Sequence, residues 1–343
     1  MDGRKIRNME EFAAVSGISR PTVSKYFNDP DSVKASTRKR IEAALEDYDY
    51  RPNIFAMNQN RRLTKNIGIV VPYLADPFFA EIARNLEWRC IEAGFTPILF
   101  SSHGDTAHEC DILDGLRALK PAGVLLAPLG RASDLKAVEQ FCADVPTVLF
   151  DSFLEDIGEA FVGSDNDQSV ALIVEYLCRT GEPPSFFEME TPANPNANRR
   201  RLAYIQSMEQ LGHEPDIVRA KGEGWDFENI GLTEGASAIN GKAFKSNTIL
   251  CSNDRLAIGV LGAAYACGLR VGLGNGFALR VAGHDDHPFS RFTCPPLTTV
   301  SQDYEAITER SFEALFAVIE SGGRNSDRLT TLFAGQLVMR ASA

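Results

Sequence analysis

Little in the 343 residues points to secretion, membranes or metals. The seven cysteines are an odd number, scattered between positions 90 and 294 without a C-x-x-C pair, so neither a disulfide framework nor a zinc cluster is indicated and reduced, mostly buried thiols are expected. No apolar run approaches the roughly 20 residues of a membrane span. The opening MDGRKIRNMEE lacks the apolar core of a signal peptide, so a cytoplasmic protein that does not engage membranes is expected. A phosphate-cradling P-loop, a G-x-S-x-G elbow and a Cys/His nucleophile arrangement are also missing. The glycines of GLRVGLGNG (268–276) do not join a strand to a helix as a dinucleotide site requires. In HDDH (284–287) the side chains alternate in direction on a strand-to-loop segment, and no further ligand cluster accompanies them. Neither cofactor, metal nor catalytic residue is expected, and the chain is not read as an enzyme.

What is present is 44% hydrophobic residues, enough for two or three domains, and an uneven charge. Residues 1–65 carry 13 Lys/Arg against 9 Asp/Glu, net +4, whereas the remainder is net −15. Within this basic front, residues 8–27 predict two short helices. Asn8 and Glu11 have capping-box spacing, Met9, Phe12, Ala13 and Val15 share a side, and Gly17 ends the first helix. Ser19 suits the N-cap of the second, with Pro21 in its first turn and Val23 and Phe27 facing inward. A third helix is expected from Ser36 through Ile41, Ala44, Leu45 and Tyr48, stopping before Arg51-Pro52. In a helix-turn-helix the N-terminal residues of the second helix meet base edges in the major groove. That places Ser19, Arg20, Thr22, Ser24 and Lys25 at DNA, with Arg20 suited to a bidentate pair with guanine. Lys34, Arg38 and Lys39 would serve phosphates.

From Asn66 the pattern becomes short β-branched runs alternating with helical stretches. Strands are expected at 67–72, 95–102, 123–128, 146–151 and 160–165, then in a second series at 184–190, 247–254, 279–286 and 296–303. Two parallel-sheet α/β lobes follow, and most strands end in polar residues, where ligands of open α/β sheets bind.

The string MEEFAAVSGISRPTVSKYFNDPDSVKASTRKRIEAALEDYDYRPNIFA resembles the DNA-binding head of the lactose-repressor (LacI/GalR) family of bacterial transcription regulators. IGIVVPYLADPFFAEIARNLEWRCIEAGF, LCSNDRLAIGVLGAAYACGLRVG and VAGHDDHPFSRFTCPPLTTVSQDY are similar to that family's effector-binding core, which is like periplasmic sugar-binding proteins. The resemblance implies a helix-turn-helix head (1–51), a hinge helix and linker (52–65) and a two-lobed effector-binding and dimerisation core (66–343). It further implies a homodimer on pseudo-palindromic operator DNA, a regulator expected to repress, controlled by a small molecule in the cleft between the lobes. Asn53, Ala56 and Gln59 fall on the hinge, where Gln59 replaces the leucine that commonly wedges into the minor groove, and a weaker bend is expected. Carried over residue by residue, the cleft comprises Tyr73, Asp76, Phe78, Phe79, Asp151, Arg201, Trp225, Asn253, Asp285 and Tyr304. Paired polar groups plus an aromatic face suit a sugar, polyol or sugar derivative. Of the adjacent Arg199, Arg200 and Arg201, Arg201 is expected inside and the others solvated, on a helix whose apolar face is Leu202, Ile205, Met208 and Leu211. The alternative is a sugar-binding or sugar-converting protein whose head does not touch DNA. The ending GQLVMRASA shows no leucine-heptad tail, so a dimer rather than a tetramer is expected.

Overall fold

The computed structural model describes residues 6, 8–28, 30–48, 50, 64–321 and 328–343. It divides into two units, Met1–Thr64 and Lys65–Ala343. In the first, α1 (Met9–Ser16), α2 (Arg20–Asn28) and α3 (Ala35–Tyr48) form where the caps predict them. The Asn8 side chain accepts from the amides of Glu10 and Glu11, and Gly17 leaves the helix at φ 64°, a conformation glycine adopts without strain. Phe12, Ile18, Val23, Ile41, Ala44 and Tyr50 close a small core, with Phe12 stacked on Tyr50 at 4.7 Å. Val15 and Tyr48 point outward instead of joining it, exposed to 44% and 42%.

The second unit has two lobes. The first is a six-stranded sheet built from β1 (Asn66–Val71), β2 (Thr96–Ser101), β3 (Gly123–Leu126), β4 (Thr147–Phe150), β5 (Ala160–Ser164) and β11 (Leu329–Phe333), in the order β11-β5-β4-β3-β1-β2. All of its pairings are parallel. Strand alternation assigns its faces. Ile67, Ile69 and Val71 of β1 belong to the cluster that includes Ile82 and Leu86 of α4 (Pro77–Glu92) and Ile307 and Leu315 of α11 (Tyr304–Ser321). Val70 belongs to the opposite cluster, with Leu113 and Leu116 of α5 (Thr106–Leu119) and Phe141 of α6 (Leu135–Asp144).

The second lobe has β6 (Ser185–Met189), β7 (Ile217–Ala220), β8 (Thr248–Cys251) and β9 (Arg280–Ala282) in the order β7-β6-β8-β9. On one face lie α7 (Asn166–Thr180) and α8 (Ala197–Gln210), through Ile173, Leu177 and Tyr204. The other face carries α9 (Phe227–Asn240) and α10 (Asp254–Ala266), which approach closely: a Cβ on Gly259 would lie 2.3 Å from the Glu228 carbonyl oxygen. Both sheets place their first strand second in order, so each has a switch point where a crevice opens at the carboxyl ends. The chain passes between lobes after β5, after β10 (Thr299–Ser301) and after β11. These crossings are tied together: Ser164 bonds Gln302, and the Gly335 amide donates to Gln168 at 2.8 Å.

Every expected strand is present, but 296–303 does not extend the second sheet as a regular parallel member. It touches that sheet through single bridges, Ala282 to Thr298 and Asp285 to Ser301, and pairs antiparallel with β12 (Gln336–Val338). Strands β7, β11 and β12 were not anticipated. β7 is an edge strand of four residues whose Arg219 side chain is 53% exposed, too short and too polar to stand out.

Candidate functional site

On the first unit, the Ser19 hydroxyl is engaged with Thr22, at 2.8 Å from its Oγ1 and 3.4 Å from its amide. It caps α2. Arg20, Lys25, Lys34 and Lys39 are exposed, and among the described residues none enters an ion pair; Thr22 and Ser24 are half-buried beside them. Arg38 differs, being paired with Asp31 at 2.9 Å. Asn53, Ala56 and Gln59 lie outside the described residues.

In the second unit, the cleft is lined by residues at the carboxyl ends of strands from both lobes. Asp76, Phe78, Phe79, Asp151, Asn253, Asp285 and Tyr304 come together there as expected, joined by Asn194, Arg200, Asp254, Arg255, His287 and Gln302. They leave about 20 Å³ between them, room for about one water. Asp76 caps α4 by accepting the Phe78 amide at 3.0 Å, and Asn253 caps α10 by accepting the Leu256 amide at 2.8 Å, so the sheet-to-helix turns themselves fix two cleft residues. Tyr73 and Trp225 do not line this space; their rings are stacked at 5.0 Å across the lobes, and Trp225 also meets the Phe79 ring edge-on. Trp225 is thus a packed aromatic closing the cleft's flank.

Arg201 is the departure. Its guanidinium reaches Glu188 at 3.3 Å and bonds Asn198, away from the cleft, while Arg199 pairs with Asp167 at 3.0 Å on the surface. Arg200 takes the central place: it is 2% exposed and donates to Asn166 Oδ1 (3.0 Å), the Ser252 carbonyl (2.9 Å) and Asp285 Oδ1 (2.6 Å). The physical reason is helical register. The buried positions of α8 are 197, 200, 203, 204, 207 and 208, whereas Leu202 and Leu211 are exposed. The carry-over from the family resemblance therefore falls one residue past the arginine that turns inward. The pattern of small residues, Ala197, Ala203 and Ser207, around Tyr204 marks the buried stripe.

Arg255, the other cleft guanidinium, donates to both oxygens of Glu228 at 2.7 Å and to Asp76 at 3.0 Å, bridging the lobes. A second bridge runs from the Asn196 amide to Asp151 Oδ1 at 2.9 Å. Burial pushes Asp151 up to about 7, with Arg200 only partly opposing it. Asp254, also pushed up to about 7 by burial, accepts from the His287 amide and from the Ser290 and Thr299 hydroxyls. For Asp285 burial works the same way, but the Arg200 guanidinium beside it prevails and holds it at about 2. His284, donating from Nδ1 to that anionic Asp285, is pushed down to about 4 by burial and by Arg200. His287 accepts the Phe289 amide at Nδ1, leaving Nε2 as the protonated nitrogen. Two cleft aspartates occupy left-handed backbone, Asp151 at φ 61° and Asp285 at φ 119°.

A larger open groove of about 670 Å³ runs between α4 and the start of α11, beside the exposed Trp88. Some of its charged lining is already paired, Arg84 with Glu81 and Arg89 with Glu309.

Comparison with known proteins places both units. Residues 8–53 match the model of bacterial regulatory proteins of the lacI family, and residues 170–343 match a periplasmic binding protein-like domain. The ribose operon repressor of Escherichia coli K12 is 26% identical over 323 residues, covering 94% of this chain and 96% of that protein. The repressor PurR of Photobacterium profundum is 24% identical over 338 residues, covering 97% and 98%. In fold, the lac repressor dimer bound to operator and the anti-inducer ONPF superimposes with a TM-score of 0.84 at 23% identity, over 98% of this chain and 99% of that one. Head, core and their order along the chain thus agree with one set of relatives, all named as regulators: the chain belongs to the lacI family of bacterial regulatory proteins and is a transcription regulator, not an enzyme.

Proposed function

We propose that the chain is a cytoplasmic repressor that binds pseudo-palindromic operator DNA as a homodimer and is controlled by a sugar, polyol or sugar derivative held between the lobes of its core. The observation that carries the DNA half is the exposed start of α2, where Arg20 and Lys25 enter no ion pair among the described residues. A cation that no carboxylate neutralises is available to phosphate and base edges. The effector half rests on the cleft's polar lining. Asp285 Oδ2 and Asp151 Oδ2 have no partner among the described residues, and neither does the protonated His287 Nε2. Acceptors and donors side by side match hydroxyl groups, which do both.

Residues 1–51, 52–65 and 66–343 are read as head, hinge with linker, and core. With so little room between the cleft side chains, entry requires the lobes to separate at the three crossings. Ligand then trades the direct bridges, Arg255 to Asp76 and Asn196 to Asp151, for its own contacts. The exposed Tyr265 and Phe292 supply apolar surface on the core for pairing of two chains. Gln59 in the hinge remains the basis for a weaker DNA bend than a leucine wedge gives.

The test is selection of bound duplexes from a random pool, followed by light scattering of the free protein. A two-fold-related consensus and a dimer are expected. A tetramer would contradict the assembly, and failure to enrich any sequence would contradict the regulator reading at the level of DNA.

A further inference from the structure

The charges around the cleft do not balance. Its guanidiniums are both committed, Arg200 to Asp285 and Arg255 to Glu228 and Asp76. Asp151 and Asp254 have no cation in direct contact among the described residues. Their circumstances differ. Asp254 has both oxygens filled by three neutral donors, so it is built into the fold. Asp151 is 7% exposed and lines the cavity, yet it receives one side-chain bond, from Asn196 to Oδ1. Its Oδ2 has no partner among the described residues, and its backbone is left-handed at φ 61°, a conformation that aspartate and asparagine both adopt. A buried carboxylate without a partner is costly unless something cationic or hydrogen-bonding completes it. An anionic ligand would make ionisation of Asp151 still more costly, whereas a positive one offsets the charge that ionisation creates.

Resting on the reading of the cleft as an effector site, we propose that its ligand is an amine-bearing polyol, such as an amino sugar, whose ammonium group donates to Asp151 while its hydroxyls reach Asp285 and Asn253. Sugar phosphates and sugar acids are then disfavoured.

The experiment is calorimetric and thermal-shift titration of the full chain with matched probes: D-glucosamine, D-galactosamine and D-mannosamine, their parent hexoses, and the hexose 6-phosphates. At least one amine should bind tenfold or more tightly than its parent, and the phosphates should bind least. In Asp151→Asn the advantage of each amine over its own parent hexose should vanish, whatever common change the exchange brings to both affinities; asparagine tolerates the left-handed backbone, so the exchange is conservative. The ranking of amine against parent on the unaltered protein does not depend on the variant folding. A parent hexose or a phosphate binding as well as its amine overturns the charge inference and leaves the effector cleft standing. No binding by any probe overturns both.

Discussion

Arg20 in the first unit and Arg200 in the second are surrounded in opposite ways. Arg20 is exposed at the start of a helix, without a carboxylate partner among the described residues. Arg200 is buried, with a carboxylate, an amide oxygen and a backbone carbonyl each taking one of its nitrogens. The same contrast extends to Lys25 and Lys34 on one side and Arg255 on the other. The difference separates two uses of positive charge. Cations left free on a surface are available to a partner outside the molecule, and cations saturated from within hold their carboxylate neighbours in a fixed geometry.

Breaking the saturated side has the largest expected effect. Arg200→Met leaves Asp285 buried without its cation and should cost about 3–5 kcal/mol of stability in urea denaturation. Arg199→Ala, one residue away but exposed, should change it by less than about 0.5 kcal/mol. The excess carboxylate provides a pH-dependent arm. Asp151 is pushed up to about 7 in the fold, above its unfolded value, so the native state binds a proton that the unfolded chain has lost. Its contribution to stability therefore declines as pH rises from about 4 to about 7. Asp151→Asn should gain on the parent protein across that window, by roughly 2–4 kcal/mol at its upper end. An unchanging difference would contradict the assigned burial. On the free side, Arg20→Ala should leave stability within about 0.5 kcal/mol but reduce discrimination between selected and random DNA by about 1–3 kcal/mol. A further local perturbation is expected at Gly104, whose φ is 75° and where a Cβ would stand 2.8 Å from Trp225 Nε1. Gly104→Ala should cost about 1 kcal/mol and shift the Trp225 fluorescence, read in a Trp88→Phe background.

The contrast also separates what the sequence discloses from what it conceals. The head was legible to within a residue because its information is local: a cap at Asn8, a glycine at 17, a cap at Ser19 and a proline after it. The strands of the two sheets were legible as β-branched runs because most are buried on both faces. Edge strands β7 and β11 escaped because half-exposed strands carry polar residues, and β12 because its partner lies across the lobe in sequence terms, at 299–301. In the cleft, Asp151, Asn253 and Asp285 are legible from strand-end position and resemblance together, whereas Asp76, the N-cap of α4 beyond the end of β1, comes from the resemblance alone. The arginine that turns inward is not legible because three stand in a row, so a carry-over by resemblance can slip by one, and only the packing of Tyr204 and Met208 against α7 decides the register. Arg255 and Gln302 act through partners distant in sequence, Asp76 and Asp285, which no local pattern announces.

The measurement that tests the account most directly is the salt dependence of duplex binding by the full chain, followed by fluorescence anisotropy. If the free cations of α2 and its neighbours meet phosphates, log Kd should rise steeply and linearly with log salt, and Lys25→Ala should lower the slope by about one. A flat line, unchanged in the variant, would contradict the claim that these charges are held open for DNA.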